Sequence, residues 1–169
     1  GNISRTVYYD RVKSWIKGTA KPFYSGGVIP DGAYTVASKA SGRQFGVTRP
    51  SPGCQEDIGA CFYRNQYLST DMEQYYWFYH LGNNEYRIIK LTSGLSLQAD
   101  ANGKVTQEWT EASDAQRWRL EKQSGGNFLL RNKQTGMALC DGAADGEMIT
   151  ASLAGTGWSL TPVKNRIIG

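Results

Sequence analysis

Residues 86–120 read YRIIKLTSGLSLQADANGKVTQEWTEASDAQRWRL, and the order of strand, turn and tryptophan in this stretch decides the fold. An apolar strand opens at Tyr86 and turns at Ser93-Gly94. Leu95-Ser96-Leu97 starts a second strand, and Gln107-Glu108-Trp109 leads to a closing run, Gln116-Arg117-Trp118-Arg119-Leu120. The same skeleton occurs twice more. Phe128 opens one copy, with Thr135-Gly136 following and Trp158-Ser159-Leu160 at its end. Tyr34 opens another, with Ser41-Gly42 following and Trp77-Phe78-Tyr79 at its end. The distance from opening aromatic to glycine is 8 residues in all three. Trp77, Trp118 and Trp158 lie 41 and 40 residues apart, and a polar residue (Gln66, Gln107, Glu147) stands 11 before each. Such self-similarity at a fixed period marks a repeat architecture, in which copies that cannot bury an apolar face alone share one core. The closing tryptophans are expected in that core.

At 169 residues the chain suits one domain, and a hydrophobic fraction of 40% is enough for a core. Short runs of β-branched and aromatic residues between turns, with 20 glycines, read as an all-β domain. No apolar run reaches the 18 residues or so that a membrane-spanning helix needs. No signal peptide is visible, although a first residue other than Met fits a leader already removed. The net charge of +4 sits at the N-terminus, where Arg5, Arg11, Lys13, Lys17 and Lys21 face Asp10 alone. The rest of the chain is neutral, which argues against a nucleic-acid surface built on clustered cations.

Residues 1–28 are expected to form a helical extension and connector. Tyr8, Val12, Trp15 and Ile16 make one helical face, and Gly18 stands where helices end. The repeats then occupy residues 29–163, at about 33–81, 82–122 and 125–163, and residues 164–169 form a tail. From glycine to tryptophan the first repeat runs 35 residues, against 24 and 22 in the others. The excess falls at residues 49–62, RPSPGCQEDIGACF, where two prolines and two glycines suit an extended surface loop. Cys54 and Cys61 bracket it, and a disulfide between them is expected in an oxidising compartment. Cys140 is left over, in a strand, as a small buried apolar residue. Metal binding is disfavoured, because His80 is the only histidine and no second cysteine pair exists.

Gln107-Glu108-Trp109 followed by Gln116-Arg117-Trp118-Arg119-Leu120 resembles the ricin B-chain type lectin domain, a β-trefoil with a Q-x-W motif in each repeat. The whole 86–120 stretch is similar to the bacterial branch of that family. The resemblance covers residues 33–163, closely in repeats two and three and loosely in repeat one. It implies a sugar site per repeat: an acidic residue on the second strand, an aromatic stacker, and polar residues near the Q-x-W. Carried onto repeat two, Trp109 is the stacker, Gln107 the polar residue two before it, and Gln116 the glutamine of the closing motif. Gln98 occupies the acidic position, with Asp100 two residues on, a departure that argues against ordinary galactose recognition. In repeat three the equivalents are Ile149, Glu147 and Cys140, with Asp141 adjacent. In repeat one they are Leu68 (with Tyr67 beside it), Gln66 and Gly46. At most one well-formed site is therefore expected, in repeat two.

Catalysis needs a nucleophile with a base, a carboxylate pair or a metal. One histidine and scattered carboxylates (Asp71, Glu73, Asp100, Glu111) do not supply these, and no phosphate-cradling loop is present. The expectation is a non-catalytic, exported bacterial module that binds a glycan or polysaccharide and uses no cofactor. The alternative is an interaction module with decayed sugar pockets, which holds a protein partner through the N-terminal helix or the 49–62 loop.

Overall fold

The computed structural model of the chain describes residues 27–47, 60–65, 74–91, 93–142 and 148–163, with the backbone alone at 45–47 and 60–65. The expected helix at 6–17, most of the 49–62 loop, the Cys54–Cys61 bridge and the tail lie outside the described residues. So do Gln66, Tyr67, Leu68 and Glu147.

Among the described residues there are twelve strands: β1 (Gly32–Ser38), β2 (Gln44–Val47), β3 (Ala60–Asn65), β4 (Tyr75–Gly82), β5 (Glu85–Lys90), β6 (Ser96–Ala99), β7 (Val105–Glu108), β8 (Trp118–Lys122), β9 (Phe128–Asn132), β10 (Ala138–Cys140), β11 (Thr150–Ser152) and β12 (Trp158–Pro162). Six of them close a ring of antiparallel pairs, β1–β4–β5–β8–β9–β12 and back to β1. The other six form three hairpins, β2–β3, β6–β7 and β10–β11. A six-strand barrel with one hairpin per repeat is the β-trefoil expected from the sequence. Closure leaves the barrel no unpaired edge.

The turn that follows each opening strand shows why the spacing to glycine is invariant. The amides of Gly42, Gly94 and Gly136 donate to the carbonyls of Ser38, Lys90 and Asn132 at 2.7, 2.9 and 2.9 Å. The three glycines have φ of 74, 73 and 74°, in the left-handed region that a Cβ disfavours. Ser38, Lys90 and Asn132 in turn donate their amides to Arg43, Leu95 and Met137, five residues on. One hairpin geometry is thus built three times.

Pairing register fixes which residues are equivalent. Tyr86 lies opposite Trp118 and Phe128 opposite Trp158. Tyr34, the matching position of repeat one, lies opposite Tyr76 and not Trp77. The closing landmark of repeat one is therefore Tyr76, one residue before the tryptophan that the sequence points to. The reason is strand alternation: Tyr76 and Phe78 face the core while Trp77 faces the other way, although it is also buried. The correction reveals a motif. Gln74-Tyr75-Tyr76 now aligns with Gln116-Arg117-Trp118, and Gln74 is as buried as Gln116.

The core follows the same rule. The barrel strands send Tyr34 and Val36, Tyr76 and Phe78, Tyr86 and Ile88, Trp118 and Leu120, and Phe128 and Leu130 into one cluster; Trp158 joins it, with Leu160 packed at its margin. The indole N–H groups of Trp118 and Trp158 donate to the carbonyls of Leu97 and Leu139, each at 3.0 Å. Buried tryptophans need such a partner, and here the partner ties the barrel to the hairpin strand of the same repeat.

The segment before β1 is stitched to the barrel by phenols. Tyr86 donates its hydroxyl to the Ile29 carbonyl at 2.7 Å and accepts from the Ile29 amide at 3.1 Å. Tyr34 donates to the Pro30 carbonyl at 2.6 Å. Burial, then the nearby Tyr86 and Asp31, push the Tyr34 phenol up to about 12. Its folded value thus lies above the ordinary 10.0, so the native state keeps this proton after the unfolded chain has lost it. That contribution is complete below pH 10 and declines as pH rises toward 12.

Two measurements check this account. Gly136→Ala meets nothing within 4 Å, so it should cost only the left-handed strain, about 1–2 kcal/mol by urea unfolding. Gly103→Ala places its Cβ against the Ala151 carbonyl oxygen and should cost clearly more; equal costs would contradict the close approach. Tyr34→Phe should lose about 1 kcal/mol at pH 7 through its hydrogen bond. Its deficit should shrink between pH 10 and pH 12, and a deficit constant across that range would contradict the shift.

Candidate functional site

In repeat two the loop after β7 returns to the barrel through a 3-10 turn, Asp114–Gln116. Ser113 caps it, its hydroxyl accepting from the Ala115 amide at 3.1 Å. Trp118 is anchored in the core two residues later, so the extended Arg117 between them turns Gln116 inward. Gln116 is 0% exposed, and its amide is a hub. Its Nε2 donates to Gln98 Oε1 at 3.0 Å and to the Trp109 carbonyl at 2.9 Å. Its Oε1 accepts from the Glu111 amide at 3.0 Å and from Arg87 Nη1 at 3.1 Å. Two donors and two lone pairs are all that a primary amide has. Gln116 therefore holds other groups in place and has nothing left to offer a ligand.

Arg87 lies beneath this hub. It is 1% exposed, and Nη1 also donates to the Glu111 carbonyl at 3.0 Å. Its Nε is buried without a hydrogen-bond partner, and none of the ion pairs among the described residues includes it. Burial first, then the Arg117 charge, pull its pKa below the ordinary arginine value, while Tyr79 acts in the opposite direction. The equivalent positions, one after the opening aromatic, are Thr35 and Leu129. The buried cation belongs to repeat two alone among the three.

The five residues singled out from sequence fall into distinct places. Trp109 is 41% exposed and is the one exposed aromatic among the described side chains. Gln98 is half-buried on the outward face of the β6–β7 hairpin, opposite Thr106. The Gln116 amide brings Gln98, the Trp109 backbone and Gln116 together. Asp100 is exposed at the hairpin tip, where its Oδ1 accepts from the Asn102 and Lys104 amides at 2.8 and 3.0 Å and shapes the turn. Gln107 points inward, 1% exposed, and accepts from the Ser93 hydroxyl at 2.9 Å. Sequence reasoning missed Arg87, whose only signal is a charge inside the apolar run Tyr86–Ile89. It also missed Gln74, which was hidden by the one-residue slip.

Repeat three carries a different set. Thr156 stands where Gln116 does, and its hydroxyl accepts from the Asp141 amide at 3.0 Å and lies 3.5 Å from Cys140 Sγ. Ser41 donates to Asp141 Oδ2 at 2.8 Å. Ile149, the counterpart of Trp109, is buried in the core. Among the described residues no group of three metal-binding side chains occurs, and no helix is long and apolar enough to cross a membrane.

Residues 71–151 match the family described as ricin-type beta-trefoil lectin domain-like. The matched stretch holds the closing strand of repeat one, all of repeat two and the hairpin of repeat three, and over it the chain resembles a ricin-type β-trefoil lectin domain. No curated protein matches its sequence significantly. Among solved structures it is similar to the designed threefold-symmetric protein ThreeFoil, at 25% identity and a TM-score of 0.70 over 79% of this chain and 100% of that one. It also resembles part of an exo-β-1,3-galactanase from Clostridium thermocellum, at 19% identity and a TM-score of 0.68, covering 78% of this chain and 30% of that one. The Polyporus squamosus lectin, crystallised with a sialylated epitope, aligns at 11% identity and a TM-score of 0.62 over 77% of this chain and 48% of that one. The latter two likenesses concern the fold.

The Gln116 amide serves both the fold and the geometry above it. Gln116→Leu keeps the volume but strips four hydrogen bonds and leaves the Arg87 guanidinium and the Trp109 carbonyl without them. The expected loss is roughly 3 kcal/mol in urea unfolding, from buried polar groups left unsatisfied. A loss under about 1 kcal/mol would mean that water reaches the hub and replaces these bonds.

Proposed function

We propose that this domain is a non-catalytic carbohydrate-binding module whose site is the outward face around Trp109 and Gln98. The observation that carries the reading is the 41% exposed Trp109 indole beside an amide network that fixes its backbone. A large aromatic in a β-domain is ordinarily buried, as Trp118 and Trp158 are. An indole held at the surface offers a flat, electron-rich face, which suits the weakly positive C–H face of a pyranose. Gln98 supplies a polar side chain tied to the Trp109 backbone through the shared Gln116 amide. The family match and the lectin among the structural neighbours support carbohydrate binding in general.

The groups assembled here are an indole, two amides and a buried guanidinium. None is a nucleophile or a general base at neutral pH, so the reading is of binding without turnover. A shallow site of this kind binds one sugar weakly. Such a module gains from attachment to an enzyme or from presentation in several copies, which raises the effective concentration. Function outside a bacterial cell, where glycans are displayed, is part of the same proposal.

The test is a glycan array followed by titration of the best binder. Trp109→Ala should weaken binding at least tenfold, that is by about 1.4 kcal/mol, while the unfolding midpoint moves little. Failure of every glycan to bind at millimolar concentration would overturn the proposal, as would a Trp109→Ala protein that binds like the parent.

A further inference from the structure

We infer that the site around Trp109 is built to receive an acceptor oxygen on the sugar, the carbonyl-type oxygen of an acetamido or carboxylate substituent. This rests on the glycan-binding reading and sharpens it. The inference follows from which way two amides face, and that orientation is forced by their partners. A backbone amide at Glu111 and the Arg87 guanidinium can only donate. The Gln116 atom between them, 3.0 and 3.1 Å away, must therefore be the oxygen. The far end of the same amide meets the Trp109 carbonyl, which can only accept, so it must be Nε2. The second proton of that nitrogen points to Gln98, whose facing atom must then be Oε1.

The consequence falls on the other end of Gln98. Its Nε2 makes no hydrogen bond among the described residues and is not among the buried polar atoms without a partner, so it faces solvent. The group presented at this position is a pair of N–H donors. A carboxylate in the same place would turn a second oxygen outward and bind by accepting from sugar hydroxyls. Gln98 reverses that polarity. A hydroxyl can satisfy either arrangement, but an oxygen that only accepts satisfies this one alone. The Arg87 charge behind the hub acts in the same sense, since no carboxylate among the described residues pairs with it. The exposed Glu111 in the adjoining loop opposes a full negative charge and distinguishes the two acceptors, favouring the neutral acetamido group over the carboxylate.

The experiment titrates the protein with methyl glycosides of galactose and glucose, their 2-acetamido derivatives and their uronic acids. Binding is followed by calorimetry and by the change in tryptophan fluorescence. At least one acceptor-bearing series should bind fivefold or more tighter than its parent hexose, and the acetamido arm should lead the uronate arm. Gln98→Glu should erase that preference or invert it. Gln98→Leu, which removes the donors without adding charge, should bring derivative and parent to within about twofold. The inference is overturned if the parent hexoses bind the wild type as well as their derivatives do. It is also overturned if both variants keep the wild-type ranking. Should a plain hexose bind and Trp109→Ala abolish it, glycan binding stands and the acceptor inference alone falls. Should no glycoside bind and the glycan array also stay silent, both fall together.

Discussion

The structure depends on barrel closure through residues that each repeat supplies in pairs. No repeat has an apolar face large enough to cover itself, and six strands meeting in a ring give each face two neighbours. Trp118 and Trp158 do more than fill space. Each indole N–H reaches a carbonyl on the hairpin strand of its own repeat, at Leu97 and Leu139. The bond fixes the hairpin against the barrel, so the position of the hairpin is set by the core and not by the loops that lead to it.

The site inherits its order from that anchor. Trp118 is locked; Gln116, two residues before it along an extended chain, must then point inward, where it meets Arg87 and Glu111. Gln116 in turn holds the backbone of Trp109 and the oxygen of Gln98. Exposed groups are thus positioned by a buried amide, which is positioned by a buried indole. Rigid support of this kind lowers the ordering cost when a ligand arrives. Core and site are therefore not separable in repeat two, and a change at Gln116 acts on both.

The sequence shows the fold through its spacings and hides the site in its contacts. Eight residues from opening aromatic to glycine is a property of one hairpin turn, with the same bond and the same φ each time, so it survives in the text of the chain. The register of β4 does not. Tyr75, Tyr76, Trp77, Phe78 and Tyr79 are all aromatic, so polar and apolar residues do not alternate there and no face is marked as inward. Only pairing with β1 shows that Tyr76 is the landmark and Gln74 its glutamine. Trp109 was legible as an aromatic two residues after a glutamine. The orientation of Gln98 was not, because it is set by Arg87 and Glu111, which are 11 and 13 residues away in the chain.

A comparison of the three repeats bears on why the Arg87 network exists. A buried guanidinium without a carboxylate is costly to hold, and the fold has no general need of it. Repeat three closes the same barrel with Leu129 in place of the arginine and Thr156 in place of the glutamine, and repeat one uses Thr35. Trp158 still reaches its carbonyl at the same 3.0 Å as Trp118. Geometry of the barrel therefore does not account for Arg87 and Gln116 occurring together. What sets repeat two apart is that its stacker position holds an exposed tryptophan, whereas repeat three buries Ile149. The costly network and the solvent-facing indole occur in the same repeat, and the hydrogen bonds run from one to the other through a single amide. That coincidence is what the proposed binding site requires, and hydrophobic packing alone gives no reason for it.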